Sequence, residues 1–309
     1  MPCRARGQTR RRRKPVPGRN TRIKLFHDAV FIGPALLFFI TLTLLPFLFG
    51  FYYSLTSWNG VSGNAEWVGL DNFVRLFTQD DRFLRSFWFT FRFMMISLLL
   101  SNLIGFGFAL ALTRHLKLTN VLRVSFFMPN ILAGLLLGFI WQFIFLRGFP
   151  SLGNMTGWSF FKLSWLGDAS TGFWGMVIVF VWQISGYLMV IYISALQNVD
   201  SSIMEAARID GAGGFRSLTR IILPLIMPSI TVCLFLSLSI SFKVFDLNLS
   251  LTNGGPFHST ESVTMNIYNE AFQNNRYGLG SAKAVIFFLV VSAITLLQVT
   301  LTKRREVQM

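Results

Sequence analysis

The residues most suited to contacting another protein lie in a polar stretch between two long apolar segments. Ser201 and Ser202 can cap a helix there, and Glu205 then lies near its positive end, where a carboxylate is stabilising. Asp210 and Gly211 are expected to end this helix, because glycine accepts a positive φ without strain. The stretch therefore predicts a short helix followed by a tight turn.

Small and apolar side chains in the same stretch indicate how the short helix could contact a partner. Ala206, Ala207 and Ala212 leave room for a second surface to approach closely, while Phe215 and Leu218 are apolar in an otherwise polar loop. This combination is typical of a docking helix. A helical hairpin that packs only against its own bundle explains the same residues, so both interpretations stay open on these residues alone.

A second group of polar and aromatic residues lies inside the apolar segments. Trp182, Gln183 and Tyr187 occur in one segment, and Ser237 and Ser241 are four residues apart in another. Aromatic rings can stack on a ligand, and amides and hydroxyls can form hydrogen bonds to it. These five residues are therefore candidates for a path or binding site within the segments. The alternative is that the serines bond to their own helix backbone and that Trp182 only packs.

Charged residues are scarce in the apolar segments, and each is a functional candidate by default. They are Arg92, Lys243, Asp246 and Lys283. Lys243 and Asp246 are three residues apart, so on one helix they can form an ion pair. We favour a structural pair over a contact with substrate.

Catalytic and metal chemistry is not indicated by the sequence. His27, His115 and His258 are isolated, and neither Cys3 nor Cys233 has a partner at metal-ligand spacing. A glycine-rich phosphate loop ending in Gly-Lys-Ser or Gly-Lys-Thr is absent from the sequence. We therefore expect no catalytic residue, metal or cofactor in this chain.

The composition places these residues in a membrane protein. The chain has 309 residues, of which 53% are hydrophobic and 13% charged, against about 25% charged in soluble domains. Six apolar segments reach the roughly 20 residues that span a bilayer, which predicts an all-α protein with six transmembrane helices. The segments are 29–53, 87–112, 124–146, 172–196, 221–242 and 282–301.

Prolines and glycines predict details within two of these segments. Pro46 is expected to kink or end the first segment, and Pro129 lies early in the third. Gly134 and Gly138 form a small-xxx-small pair that permits a close helix contact.

Basic residues set the expected orientation. With the N-terminus inside, 19 lysines and arginines fall on the inner side and 6 on the outer side, which predicts that both termini are cytoplasmic. Ten of the 28 lie before residue 25, so the net charge of +15 indicates a solvated tail rather than nucleic-acid binding. The expected divisions are a basic, disordered tail (1–28), a membrane domain (29–302) with a cytoplasmic loop at about 197–220, and a cytoplasmic end (303–309).

The cytoplasmic loop resembles the EAA loop of permeases in ABC importers. Glu-Ala-Ala at 205–207, Asp-Gly-Ala at 210–212 and Ile-Ile-Leu-Pro at 221–224 match that motif at its spacing. Residues 245–247 (FDL), 251–256 (LTNGGP) and 68–73 (VGLDNF) resemble segments of permeases for sugars, oligosaccharides and glycerol phosphate. The similarity extends from about residue 28 to 303, and is to the shorter MalF-like members of heterodimeric pairs.

This resemblance implies the architecture of a type I ABC importer permease, a role as a transport subunit and a set of partner proteins. The loop would be a coupling helix seated in a groove on a cytoplasmic ATPase, with Glu205 supplying charge pairing and Gly211 the turn. The stretch around Trp182 would line a sugar pocket. The implied partners are a second permease, two ATPase subunits that bind ATP and Mg²⁺, an extracytoplasmic solute-binding protein and the bilayer of a bacterial plasma membrane.

An ion-driven secondary transporter is the alternative function. Such a protein normally shows buried carboxylates and internal repeats, and the sequence shows neither. Uncharged polar and aromatic groups outnumber charges in the apolar segments, which favours a neutral sugar or oligosaccharide as the solute.

Overall fold

In the computed structural model, residues 30–113 and 118–304 are described. The basic tail, His27, His115 and residues 305–309 lie outside this part, so the predictions made for them are not addressed. The regular structure of the described residues is helical, apart from one isolated bridge between Thr56 and Trp67. The all-α prediction is confirmed. The chain divides into two units, 1–52 and 53–309.

The first unit consists, in its described part, of most of helix α1 (Val30–Ser54). A π-helical segment, Ile40–Leu44, interrupts the α-helix just before Pro46. Proline lacks a backbone N–H and its ring clashes with the preceding turn, which explains a widened turn at this position. Pro46 therefore distorts α1 but does not end it.

Three long helices of the second unit are apolar enough to cross a membrane: α3 (Asp81–Leu112), α6 (Ala169–Gln197) and α12 (Tyr277–Lys303). Each begins earlier than the sequence predicted. The Asp80 carboxylate accepts a hydrogen bond from the N–H of Phe83 at 2.8 Å, which starts α3 six residues before the apolar segment. Asp168 caps α6 in the same way, through the N–H of Ser170 at 3.0 Å.

The third predicted segment is not one helix. It is divided between α4 (Thr119–Ile131) and the helix α5 (Gly134–Thr156), because Leu132 and Ala133 adopt extended backbone conformations. The Gln183 amide donates to the carbonyl oxygen of Leu132 at 3.2 Å, which satisfies an acceptor freed by the break. Pro129 consequently lies in the last turn of α4, not early in a continuous span.

The fifth predicted segment is bent. Helix α8 (Gly214–Leu225) and helix α9 (Met227–Phe242) meet at 74°. Pro228 lies in the first turn of α9, where a missing N–H costs nothing. Counting this bent pair as one span, the described residues contain six candidate membrane spans.

Shorter helices complete the second unit. They are α2 (Asp71–Thr78), α7 (Ser201–Ile209), α10 (Asp246–Leu251) and α11 (Val263–Tyr268), and α11 continues as a π-helical turn at Asn269–Gln273. The N–H of Val263 donates to Thr90 near the start of α3, at 2.9 Å. We call this end of the helix bundle the loop end.

Helices α3 and α6 run parallel through the core. Arg92 lies over the ring of Phe173 near the loop end, and further along the same helices Tyr192 donates to Asn102 at 2.7 Å. Asn102 also donates to Ser237 of α9 at 2.8 Å, so a buried polar triad joins three helices. Because α7 follows α6, α7 lies at the opposite end, which we call the coupling end.

Ion pairs with buried groups join the helices at the loop end. The ammonium of Lys283 on α12 is fully buried and lies 2.7 Å from Asp80 and 2.8 Å from Glu270. Arg82 makes two hydrogen bonds to the buried carboxylate of Glu261, at 2.6 and 2.7 Å. The carboxylates satisfy cations that would otherwise be costly to bury, so the three ion pairs hold α3, α11 and α12 together.

Candidate functional sites

The first candidate site is the helical turn at the coupling end. Helix α7 is capped by Asp200, whose carboxylate accepts from the N–H of Ser202 at 2.9 Å. This hydrogen bond holds the pKa of Asp200 below its usual value. The prediction that Ser201 or Ser202 supplies the cap is wrong, because both residues already lie within the helix.

The turn after α7 has the geometry expected of a glycine stop. Asp210 is the C-terminal cap and Gly211 has φ +74°. The N–H of Gly211 donates to Arg208 at 3.1 Å, and that of Ala212 donates to Ala207 at 2.9 Å. This pair of bonds is a Schellman motif, which depends on the left-handed backbone at Gly211.

The side chains of the turn are mostly exposed. Glu205, Ala206, Asp210 and Gly211 face solvent, whereas Ala207 is buried. Phe215 is 80% exposed and Ile209, just before the cap, is 87% exposed. A carboxylate and two uncovered apolar side chains on the two helices that flank this turn form a surface suited to a partner protein.

The second candidate site is an open cavity of about 400 Å³ at the surface of the second unit, where the side chains of Lys243 and Asp246 are exposed. Its polar lining comes from Asn130, Gln183, Lys243 and Asp246, which lie on or beside four different helices. The rest of the lining is Gly134, Phe180, Ile184, Ile240, Val244, Phe245 and Leu247. Amide, ammonium and carboxylate groups together can bond to a solute that carries many hydroxyls.

The predicted ion pair between Lys243 and Asp246 is not formed. Helix α9 ends at Phe242 and α10 begins at Asp246, so the two residues do not share a helix. Among the ion pairs of the described residues, none within 4.0 Å involves either of them. Both side chains line the cavity instead, which makes them candidates for contact with the solute.

Two glycines on α5 allow α10 to approach closely and place Asp246 at the cavity. A Cβ added at Gly134 would lie 3.0 Å from the Cβ of Asp246, and one at Gly138 would lie 2.8 Å from the Cβ of Ser250. The small-xxx-small pair therefore makes the close helix contact that the sequence predicted. Its partner is the short helix α10.

Of the five predicted path residues, only Gln183 lines this cavity. Ser237 and Ser241 are fully buried and bond to their own helix, at the carbonyls of Cys233 (2.8 Å) and Leu238 (3.1 Å). Trp182 lies in a separate apolar groove, and Tyr187 packs against the core. Asn130, which also lines this cavity, was not identified from the sequence. The feature that could have indicated it is an amide side chain directly after Pro129 in an apolar segment.

Binding of a metal ion would require a group of suitable side chains among the described residues. Within residues 30–113 and 118–304, no group of three or more His, Cys, Asp or Glu side chains is placed to hold an ion.

Comparison with known proteins identifies the family. The family described as "Binding-protein-dependent transport system inner membrane component" matches residues 101–307. The chain is 44% identical over 282 residues to the "Probable starch degradation products transport system permease protein AmyD" of Thermoanaerobacterium thermosulfurigenes, covering 91% of this chain and 95% of that protein. It is 34% identical over 262 residues to the "Multiple sugar-binding transport system permease protein MsmF" of Streptococcus mutans, covering 85% and 90%.

A solved structure shares the fold. One chain of a bacterial ABC transporter involved in the import of the acidic polysaccharide alginate superposes with a TM-score of 0.78 at 21% identity, covering 93% of this chain and 99% of that one. The chain described here belongs to the family of binding-protein-dependent transport system inner membrane components. It is an integral membrane permease of an ABC importer, so the predictions of an importer permease fold and of a transport subunit rather than an enzyme are confirmed.

Proposed function

We propose that this chain forms half of the translocation path for a sugar or oligosaccharide and receives its driving force through the α7 turn. The observation that carries the proposal is the exposed Schellman turn at Gly211, which holds Glu205 and Phe215 outward at the coupling end. A hydrogen-bonded, uncovered turn at the end of a bundle can transmit the movement of a docked protein to the helices on either side of it.

The lining of the cavity supports a solute rich in hydroxyl groups. Asp246 can accept hydrogen bonds from hydroxyls, Lys243 can donate to them, and Gln183 and Asn130 can do both. The names of AmyD and MsmF attribute starch degradation products and multiple sugars to those relatives.

The partners proposed for this chain are a second permease, two ATPase subunits and an extracytoplasmic solute-binding protein. ATP and Mg²⁺ would bind to the ATPase subunits, since the sequence has no phosphate loop of its own. Glu205, Ala206, Ala207, Asp210, Gly211 and Phe215 would form the contact with one ATPase. Ala207 would act indirectly, because it is buried beneath the turn.

Reporter fusions should show that the coupling end is cytoplasmic. We expect fusions after Arg216 to report the cytoplasm and fusions near Gly63 or Gly255 to report the outside, because basic residues flank the coupling end. Alkaline phosphatase and a cytoplasmic fluorescent reporter give opposite signals and serve as mutual controls. A cytoplasmic signal at Gly255 would overturn both the orientation and the six-span topology.

Uptake by a deletion strain should identify the solute class. We expect a strain that lacks this chain to lose growth on, and uptake of, one or a few oligosaccharides. Supplying this chain should restore both, but only in cells that also contain the ATPase partner. Amino-acid uptake in the same strain is the control. Normal use of every sugar together with lost amino-acid uptake would contradict the proposed solute.

A further inference from the structure

Two arginines on α3 point to a function that the solute path and the coupling turn do not use. Arg85 and Arg92 lie on the exposed face of the helix, two turns apart, with Trp88 between them. In the described part of the chain, neither has a carboxylate within 4.0 Å. Among the described residues, Arg92 lies over the ring of Phe173, 5.1 Å from its guanidinium carbon, and the Nε of Arg85 donates to the backbone carbonyl of Asp81 at 3.3 Å. An exposed guanidinium on a membrane helix needs an anion or water.

The length of α3 places these arginines at the height of lipid phosphates. The helix has 32 residues, which is about 48 Å at 1.5 Å per residue. The hydrocarbon core takes about 20 residues. Counted back from Leu112, the core ends near Arg92, and Arg85 lies about 10 Å further out, among the headgroups. Trp88 between them is typical of the membrane interface.

A cavity of about 810 Å³ adjoins the two arginines. Arg82 also lines it but is already bonded to Glu261, and His258 lies 3.6 Å from the same carboxylate. The Ser259 hydroxyl is buried there without a hydrogen-bond partner among the described residues. The remaining lining is Asp81, Leu84, Trp88, Phe89, Ala169 and Phe257. The groups left for a ligand are therefore two guanidinium groups, one hydroxyl and the Asp81 carboxylate, and the two positive charges outnumber the one negative charge, which suits a phosphate.

A separate apolar groove of about 380 Å³ lies nearer the coupling end, between α3, α4 and α6, and its lining begins at Trp174, next to Phe173. It contains Leu100 and Ile104 of α3, and Trp174, Val177 and Trp182 of α6. Leu100 is eight residues beyond Arg92, about 12 Å deeper in the bilayer. A basic cavity at headgroup height above an apolar groove has the polarity of a phospholipid.

We propose that the Arg85–Arg92 cavity and the apolar groove bind one anionic phospholipid. The phosphate lies between Arg85, Arg92 and Ser259, and an acyl chain lies along Leu100, Ile104 and Trp182. A helix of another subunit would need an acidic residue opposite Arg92, whereas a lipid phosphate supplies the negative charge at that depth. The site requires only membrane insertion, so it stands independently of the proposed solute.

The test measures the lipid that the protein retains. The protein is purified in mild detergent with the subunits that accompany it, and bound phosphatidylglycerol is extracted and quantified. We expect Arg85→Gln combined with Arg92→Gln to reduce retained phosphatidylglycerol by about tenfold or more, because each cationic side chain near the membrane surface contributes to binding. Arg147→Gln, at another exposed arginine of the loop end, is the matched control and should retain wild-type amounts.

Two further measurements keep the proposal falsifiable. Ser259→Ala removes only the unpaired hydroxyl, so it should fold normally and retain less phosphatidylglycerol than wild type. Added phosphatidylglycerol should raise the unfolding temperature of the wild type, while phosphatidylcholine and inorganic phosphate should have little effect. Equal lipid retention in the wild type, Ser259→Ala and the double arginine variant would overturn the proposal. Equal protection by inorganic phosphate would also overturn it, because the groove would then contribute nothing.

Discussion

Replacing Gly211 with valine is expected to abolish uptake while leaving the protein in the membrane. Gly211 has φ +74°, and a β-branched residue in that conformation costs about 1–3 kcal/mol. A Cβ added there would meet no atom within 4 Å, so the variant acts on the backbone of the turn and not through a clash. The Schellman bonds at Gly211 and Ala212 would be lost, and with them the orientation of α7 toward its partner.

Gly157 provides a matched control for the Gly211 variant. It also ends a helix with a positive φ, +77°, and also has open space around its Cβ position, but it follows α5 at the loop end. Gly157→Val should therefore carry similar backbone strain and leave uptake largely intact. If both variants abolished uptake equally, strain alone would explain the result and the coupling role of the turn would lose its support.

Charge reversal at Glu205 should produce the same uncoupled state by a different route. The side chain is exposed on α7, so Glu205→Lys does not disturb the bundle. Reversing a charge that becomes buried in an interface costs about 2–5 kcal/mol. The measurement is co-purification of the ATPase with a tagged permease, alongside uptake in the same cells. Glu66→Lys at the loop end is the control. Wild-type assembly and uptake in both Glu205→Lys and Gly211→Val would make this turn an ordinary hairpin.

The predictions that succeeded depend on local chemistry. The turn at Gly211 was predictable because an Asp-Gly pair after a short helix determines its own backbone conformation. The long helices were predictable because about 20 apolar residues have few alternatives to spanning a bilayer. The first turns of these helices were not predicted, because they are polar and a hydropathy pattern does not detect them. Asp80 and Asp168 cap these turns.

The breaks at Leu132–Ala133 and at Ile226 show where local reasoning ends. Both lie inside continuous apolar sequence, so composition predicts one helix in each case. The first break is stabilised by Gln183, which is distant in the chain, and the second is a bend of 74° between α8 and α9. A contact made across the fold therefore accompanies the first break, whereas two nearby prolines, Pro224 and Pro228, flank the second.

The cavity was only partly predictable for a related reason. Spacing correctly placed Ser237 and Ser241 on one face of α9, but a helix that is apolar on all sides does not reveal which face is buried. Lys243 and Asp246 were recognised as unusual charges in an apolar context. Their placement at the cavity depends on α9 ending at Phe242 and on the close contact of α10 with Gly134 and Gly138.

Loss of the Asp246 carboxylate should reduce uptake by about tenfold or more without affecting assembly. A hydrogen bond to a charged group is worth about 1.5–3 kcal/mol, and Asp246→Asn keeps the size of the side chain in the first turn of α10. Lys243→Met should have a similar effect, because it removes the ammonium from the same cavity. The controls are Glu66→Gln and Lys162→Met, at exposed positions away from the cavity.

The concentration dependence of uptake distinguishes this loss from failure of coupling. Cavity variants should raise the solute concentration needed for half-maximal uptake and still co-purify with the ATPase, whereas Gly211→Val should lose the ATPase or its coupling. Because Gln183 lines the same cavity, Gln183→Leu should weaken uptake as Asp246→Asn does, and it should also remove the hydrogen bond to Leu132 at the break between α4 and α5. If Asp246→Asn, Lys243→Met and Gln183→Leu all transported at wild-type rates and affinities, the solute would pass elsewhere, and these polar groups would only stabilise the junction of α9 and α10.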